Sequence, residues 1–215
     1  MNLTPYFVAG GSYQFLSKDK KDSIKYVFQQ KPFRIFQYIN GKLAFIANDQ
    51  DTLQYASNDA THTYYYDGPD QIVTGYEVGM GFTYSTDKLY GIPQRAADKF
   101  NLQSTQNSDP YRLFNQDEFI HPYGSTFPLY GAYPQVTGHS TTMTNTVIWM
   151  NSAETYVGIF PESNNAMMAR IMSIGGVFEF FTFGSGDPKR NAKYFSDVTG
   201  RLPMPPIPAL GYHFC

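Results

Sequence analysis

The sequence holds a single cysteine, Cys215, at its last position. One cysteine excludes an intrachain disulfide and a thiolate-rich zinc site. No apolar run approaches the roughly 18 residues of a membrane-spanning helix. Neither sign of charge dominates: 16 Lys and Arg stand against 18 Asp and Glu, a formal net charge of −2. That balance argues against the basic face of a nucleic-acid-binding domain and against a polybasic membrane-surface domain. The opening stretch, MNLTPYFVAGG, lacks the charged and apolar regions of a convincing signal peptide, and its Asn2-Leu3-Thr4 sequon is too short to weigh. The chain has no GxSxG nucleophile elbow and no phosphate-cradling GxxxxGK[ST] loop. Its four histidines, at 62, 121, 139 and 213, never fall at the i, i+4 spacing of a helical metal site. No metal and no cofactor is expected.

What the chain has in excess is aromatic rings. Its 18 Tyr and 18 Phe bring aromatics to 17% with only one Trp, and 18 Gly and 14 Pro punctuate them. Tyr and Phe suit the pleated, half-buried surface of a strand. Ile24–Gln30 alternates with period two, and Phe33–Ile39 meets Lys42–Ala47 across Asn40-Gly41, a strong hairpin signal. Pro32 stands at the mouth of that hairpin. Gln71–Ser85 reads as a long strand whose glycines at 75, 79 and 81 mark bulges or close backbone approach. Further strands are predicted at Tyr111–Phe114, Leu129–Tyr133, Thr146–Met150, Thr155–Ile159, Arg170–Ile174 and Val177–Phe183. One helix is well marked: Asp187 as N-cap, Pro188 at the first helical position, Ala192, Phe195 and Val198 at helical spacing, and Gly200 as the stop. The fold class expected is all-β, a large antiparallel sandwich with one C-terminal helix.

Candidate carboxylates are few. Hydrolysis of a glycosidic bond usually takes two carboxyl groups facing each other across it. Asp117 and Glu118 are adjacent, so on a strand they would point to opposite faces and could not flank one bond. By themselves they read as a solvated turn. Glu154, in NSAET, reads as a turn or strand-edge residue. Composition and spacing alone therefore give a sandwich with no catalytic constellation of its own.

A series of motifs in fixed order adds to this. LYGIPQRA (Leu89–Ala96), DPYRLFNQDEF (Asp109–Phe119), PLYGAYP (Pro128–Pro134), VIWMNSAETYVGI (Val147–Ile159) and the stretch from Gly175 to Cys215 together resemble the N-terminal β-sandwich of glycoside hydrolase family 31. Within that family the sequence looks like the neutral α-glucosidases of glucosidase II type. The resemblance runs from about Asp67 to the end and is fainter before it, where the hairpin segment still matches.

The resemblance implies a galactose-mutarotase-like sandwich over 1–202. A Pro-rich linker at 203–215 then leads, through Ala209–Cys215, into the first strand of a (β/α)8 barrel. It implies that the catalytic Asp pair belongs to that barrel, so that no catalytic residue is expected on this chain. It further implies that a sandwich loop, matching Phe114–Gly131, closes the barrel's substrate pocket. On that loop Asp117 takes the position that bonds sugar hydroxyls and Phe119 the position that walls the next sugar. Gln94-Arg95 replaces the family's more common Glu-His or Glu-Arg and is expected to hold the loop. NQDEF replaces a more apolar NLDVF, so Glu118 is expected to alter loop packing.

Implied partners are an α-glucoside or glucosylated glycan, once the chain is joined to its barrel, and a glucosidase II β-subunit; the compartment is left open, being the endoplasmic reticulum lumen if the chain is a piece of glucosidase II. The expected function is a non-catalytic, substrate-pocket domain of an α-glucosidase. The alternative is a stand-alone carbohydrate- or protein-binding module. A mutarotase activity is disfavoured, because no motif supplies the His and Glu that would act on the sugar ring.

Overall fold

The computed structural model describes residues 11–55 and 77–212, apart from Lys18, Glu118, Ile120 and Pro122. The strands are β1 Ser12–Leu16, β2 Ser23–Gln30, β3 Phe33–Ile39, β4 Lys42–Ala47, β5 Gln54–Tyr55, β6 Val78–Tyr84, β7 Leu89–Gly91 and β8 Tyr111–Leu113. They continue with β9 Gln135–His139, β10 Thr144–Trp149, β11 Thr155–Pro161, β12 Met167–Ser173 and β13 Phe180–Ser185, and α1 follows at Pro188–Thr199. All the pairings are antiparallel. The larger sheet runs β1-β2-β3-β4-β6-β12-β11-β8 with β5 also on β6, and the smaller runs β13-β10-β9-β7.

The two sheets share one core. Phe45, Met80, Phe82, Tyr84, Ile159 and Ile171 from the larger meet Leu89, Val136, Val147 and Trp149 from the smaller. Polar tethers cross between the layers. Trp149 Nε1 donates to Ser173 Oγ at 2.9 Å, and Tyr84 OH donates to the Val136 carbonyl at 3.2 Å. The aromatic excess is therefore largely core packing, with edge-on pairs such as Phe45–Phe82 and Trp149–Phe178 at 5.7 and 5.3 Å. Such pairs add to plain burial because a ring edge meets a ring face.

Several expectations are met in local detail. Asn40 and Gly41 take φ 50° and 81°, which closes the β3–β4 hairpin with the backbone twist that two-residue turns need. Gly81 lies where a Cβ would come within 2.8 Å of Thr52 Oγ1, which bonds its N–H, so close approach explains it. Asp187 accepts from Lys189 N at 2.7 Å and caps α1, and Gly200 ends the helix at φ 91°.

Other details differ. The predicted strand from Gln71 begins at Val78 among the described residues, and Gly75 lies outside them. Leu129–Tyr133 is not a strand, because its backbone bonds go to Gln94, Gln116 and Pro93 on loops rather than to a ladder. β1, β5, β7 and β9 were not expected; β9, for instance, reads QVTGH, without apolar alternation.

Of the three helically spaced apolar residues of α1, only Phe195 packs inward. Ala192 and Val198 are exposed. The helix sits on β13 and β10 through Asn191 and Phe195, with Asn191 Nδ2 donating to Thr146 Oγ1 at 2.8 Å and Phe195 edge-on to Phe183. Residues 200–212 lie exposed along the surface with one 3-10 turn at Ile207–Ala209. The predicted strand at Ala209–Cys215 does not form over 209–212, since an unpaired segment has no ladder to join; 213–215 lie outside the described residues.

One buried charge locks these parts together. Asp22, between β1 and β2, accepts from Arg190 Nε at 2.9 Å and Nη2 at 3.1 Å, from Tyr194 OH at 2.9 Å, from Gly186 N at 2.8 Å and from Asn40 Nδ2 at 3.2 Å. Burial alone would raise its pKa, but these bonds outweigh it and lower the value from an ordinary 3.8 to about 2. A carboxyl that titrates lower when folded stabilises the fold fully above its unfolded value, and that contribution is lost as pH falls toward its folded value. The shift corresponds to about 2 kcal/mol. In urea unfolding, Asp22→Asn should cost about that amount at pH 7, and the gap to the unaltered chain should close between pH 4 and 2. A gap that stays constant with pH would contradict this role.

Candidate functional site

The loop that carries both predicted site residues leaves β8 at Phe114 and returns toward β9 after Gly131. Its two limbs are bound near their base: Gln116 N donates to Leu129 O at 2.9 Å, and Asn115 Nδ2 donates to Tyr130 O. The returning limb is also stitched to the stretch after β7, with Gln94 N to Gly131 O at 2.7 Å and Leu129 N to Gln94 O at 3.1 Å. Gly124, at φ 75°, makes the far turn, and its N–H reaches Ala96 O at 2.7 Å.

Arg95 is the clasp. Its Nε donates to Ile92 O at 2.8 Å and its Nη1 to Thr126 O at 3.0 Å, while the guanidinium lies 4.8 Å over the Tyr111 ring. One planar fork thus joins the sandwich to the far limb of the loop, a geometry that lysine could not reproduce. Burial lowers the Arg95 pKa to about 10, so it remains a cation at neutral pH. The structural role expected for Gln94-Arg95 is what these contacts provide.

Asp117 is exposed on the outgoing limb, and Tyr130 OH donates to its Oδ1 at 2.8 Å. That bond, with the carboxylate's charge, raises the Tyr130 pKa. His121 meets the Tyr130 ring edge-on at 6.2 Å. Phe119 is 97% exposed, so it does not pack in the core. Tyr123, Phe127 and Tyr130 are exposed on the same loop, and Glu118 lies outside the described residues. Tyr130 was not singled out from the sequence; its tie to Asp117 spans 13 positions with no periodic signal.

Glu154 lies immediately before β11, at the strand edge where the sequence places it, but it is not exposed to solvent. Its side chain is only 5% exposed and accepts from Arg112 Nε and Tyr156 OH. Arg112 in turn lies 4.7 Å over the Phe114 ring. Glu154 forms part of the wall of a cavity of about 320 Å³ between the loop base and the turn after β10. Chemically, the loop offers binding groups: a carboxylate that can accept from sugar hydroxyls and ring faces that can cover apolar C–H surface. Among the described residues no group of three or more His, Cys, Asp or Glu is placed to hold a metal ion. None of the described helices is long and apolar enough to cross a membrane.

Removing the clasp should free the loop. Arg95→Met should speed amide exchange of Gly124 and Phe127 by at least tenfold and lower global stability by about 2 kcal/mol, the loss of charge-assisted hydrogen bonds. Unchanged exchange at these amides, measured by NMR, would show that the loop is held by other means.

Comparison with known proteins fits this geometry. The family profile of the glycosyl hydrolase 31 N-terminal galactose mutarotase-like domain matches residues 9–157. Glucosidase 2 subunit alpha of Saccharomyces cerevisiae is 29% identical over 206 residues, which covers 86% of this chain and 21% of the relative. Neutral alpha-glucosidase AB of Dictyostelium discoideum is 33% identical over 146 residues, 64% of this chain and 15% of the relative. The chain thus spans about a fifth or less of the curated relatives it matches. A crystal structure of glucosidase II alpha subunit with bound Glc1Man2 superposes with TM-score 0.69 at 21% identity, covering 87% of this chain and 24% of that one. An ER glucosidase II heterodimer of catalytic subunit and regulatory-subunit binding domain gives TM-score 0.69 at 21% identity, covering 86% and 23%. At this identity the structural likeness shows the shared sandwich fold. With the profile match covering most of its length, the chain belongs to the glycosyl hydrolase 31 N-terminal galactose mutarotase-like domain family.

Proposed function

We propose that this chain is the sugar-contacting, pocket-closing domain of an α-glucosidase of glucosidase II type, and that it does not itself cleave the bond. In a retaining glycosidase the two carboxyl groups stand roughly 5–5.5 Å apart across an oxocarbenium-like transition state. Here the catalytic pair comes from a barrel reached through the Pro-rich segment at 203–215, and the sandwich over 1–202 contributes Asp117 and Phe119. Asp117 accepts hydrogen bonds from a glucose hydroxyl pair, and Phe119 stacks on the sugar beyond it. The substrate is α-linked glucose, in a glucosylated glycan if the chain works beside a regulatory β-subunit in the endoplasmic reticulum lumen.

The observation that carries this is the exposed Phe119 on a loop fixed to a rigid sandwich by Arg95. A 97% exposed phenylalanine has no packing role of its own, and a clasped loop positions it for a partner surface. The stand-alone binding module is the second reading, favoured by the further exposed rings of Tyr123 and Phe127.

Two measurements on the purified chain separate these. It should not hydrolyse a chromogenic α-glucoside, and turnover that persists through rigorous purification would overturn the proposal. Titration with maltose should give no binding tighter than about 10 μM, roughly −7 kcal/mol. Tighter binding would favour the stand-alone module.

A further inference from the structure

Asn40 and Gly41, the two turn residues between β3 and β4, form a dipeptide prone to spontaneous deamidation. With no side chain on the following residue, the Gly41 nitrogen can reach the side-chain carbonyl carbon of Asn40. Asn40 is exposed, and nothing lies within 4 Å of where a Cβ on Gly41 would be, so the turn is open to water. In the folded chain, however, the Asn40 amide is held at both of its polar atoms. Its Oδ1 accepts from Ser23 N at 2.8 Å and its Nδ2 donates to Asp22 Oδ1 at 3.2 Å, while its own backbone N–H donates to Ser23 O at 2.8 Å. Nδ2 also lies 3.3 Å from where a Cβ on Gly186 would be, against the turn that leads into α1. The carboxylate it bonds is 1% exposed and carries the ion pair to Arg190.

Cyclisation needs the side chain to turn its carbonyl carbon onto the Gly41 nitrogen. That rotation breaks both side-chain bonds at once and takes a donor from a buried carboxylate, which is costly. The fold therefore suppresses a reaction that the sequence favours. The reaction, in turn, undoes what suppresses it. The Gly41 nitrogen gives its proton to solvent base and bonds to Asn40 Cγ; the Cγ–Nδ2 bond breaks, and Nδ2 leaves as ammonia with a proton taken from water. Water then opens the succinimide ring at either carbonyl, giving an α-linked or a β-linked aspartate. Where a donor faced Asp22 there is now a second carboxylate, and each disfavours the ionised form of the other. The β-linked product also adds a backbone methylene to the turn whose geometry sets the register of β3 on β4.

We propose that Asn40 is a deamidation site that the Asp22 cluster keeps silent, and that its conversion irreversibly loosens α1 from the sandwich. The new charge falls on the carboxylate that bonds Gly186, Arg190 and Tyr194. A chemical change in one hairpin is thus felt at the helix that precedes the Pro-rich segment.

The test incubates the full chain at mildly alkaline pH and follows position 40 by peptide mass spectrometry with an isoaspartate assay. The folded chain should convert about tenfold more slowly, or slower still, than the same chain unfolded in urea, as expected for a reaction gated by local opening. Asp22→Ala should bring the folded rate up toward the unfolded one. Val157→Ala, which weakens the core at a fully buried position away from the cluster, should raise it less when the two variants are compared at matched stability. Asn40→Asp supplies the α-linked product directly and keeps the proposal testable if Asp22→Ala does not fold. In it, amide exchange at Tyr194 and Phe195 should quicken about tenfold, and adding the substitution to Asp22→Asn should quicken it little further, because the two act through one contact. Equal conversion in the folded and unfolded chain, equal effects of Asp22→Ala and Val157→Ala, or unchanged exchange in Asn40→Asp would each overturn the proposal.

Discussion

The far limb of the loop that leaves β8 is clasped to the sandwich by a single planar guanidinium. Arg95 bonds carbonyls on two separate segments and rests on the ring of a β8 residue, Tyr111. Each of those contacts needs the others: the ring fixes the plane of the fork, and the plane sets which carbonyls it can reach. Without it, the returning limb would keep the backbone bonds to Gln94, Ala96 and Gln116 and the bonds from Asn115 to Tyr130 O and from Tyr130 to Asp117, but would lose the tie at Thr126. Function placed on loops generally relies on such anchoring to a rigid scaffold, and here the scaffold is a core built from the inner faces of both sheets.

The scaffold is tied together by polar contacts as much as by apolar burial. Asp22 gathers the β1–β2 turn, the β3–β4 hairpin and the start of α1 around one carboxylate. A second polar set, Gln37, Tyr26 and Thr182, bridges β3 and β2 to β13 inside the molecule. Networks of this kind favour one arrangement over others because each member left unpaired would carry a desolvation penalty. That explains why α1 docks through Asn191 and Tyr194 beside Phe195, while Ala192 and Val198 of its apolar stripe stay exposed.

Much of the fold was legible in the residues. The hairpin at Asn40-Gly41, the close approach at Gly79 and Gly81 and both helix caps follow from local rules about backbone freedom and capping. The edge strands were not, because β5 and β7 are two and three residues long and exist only by pairing with distant partners. The site divides in the same way. Asp117 and Phe119 came from a motif, and the structure adds that both are exposed. Tyr130 against Asp117 and Arg95 against Thr126 are tertiary contacts across 13 and 31 positions, which no spacing rule encodes.

Whether Asp117 and Phe119 bind substrate is tested most directly by putting this chain in place of the matching segment of the yeast relative and measuring kcat and KM on a glucosylated disaccharide. Asp117→Ala and Phe119→Ala should each lower kcat/KM at least tenfold, about 1.4 kcal/mol of lost binding, with chain folding unchanged by circular dichroism. Kinetic constants equal to those of the unaltered chimera for both variants would contradict a substrate-binding role for the loop.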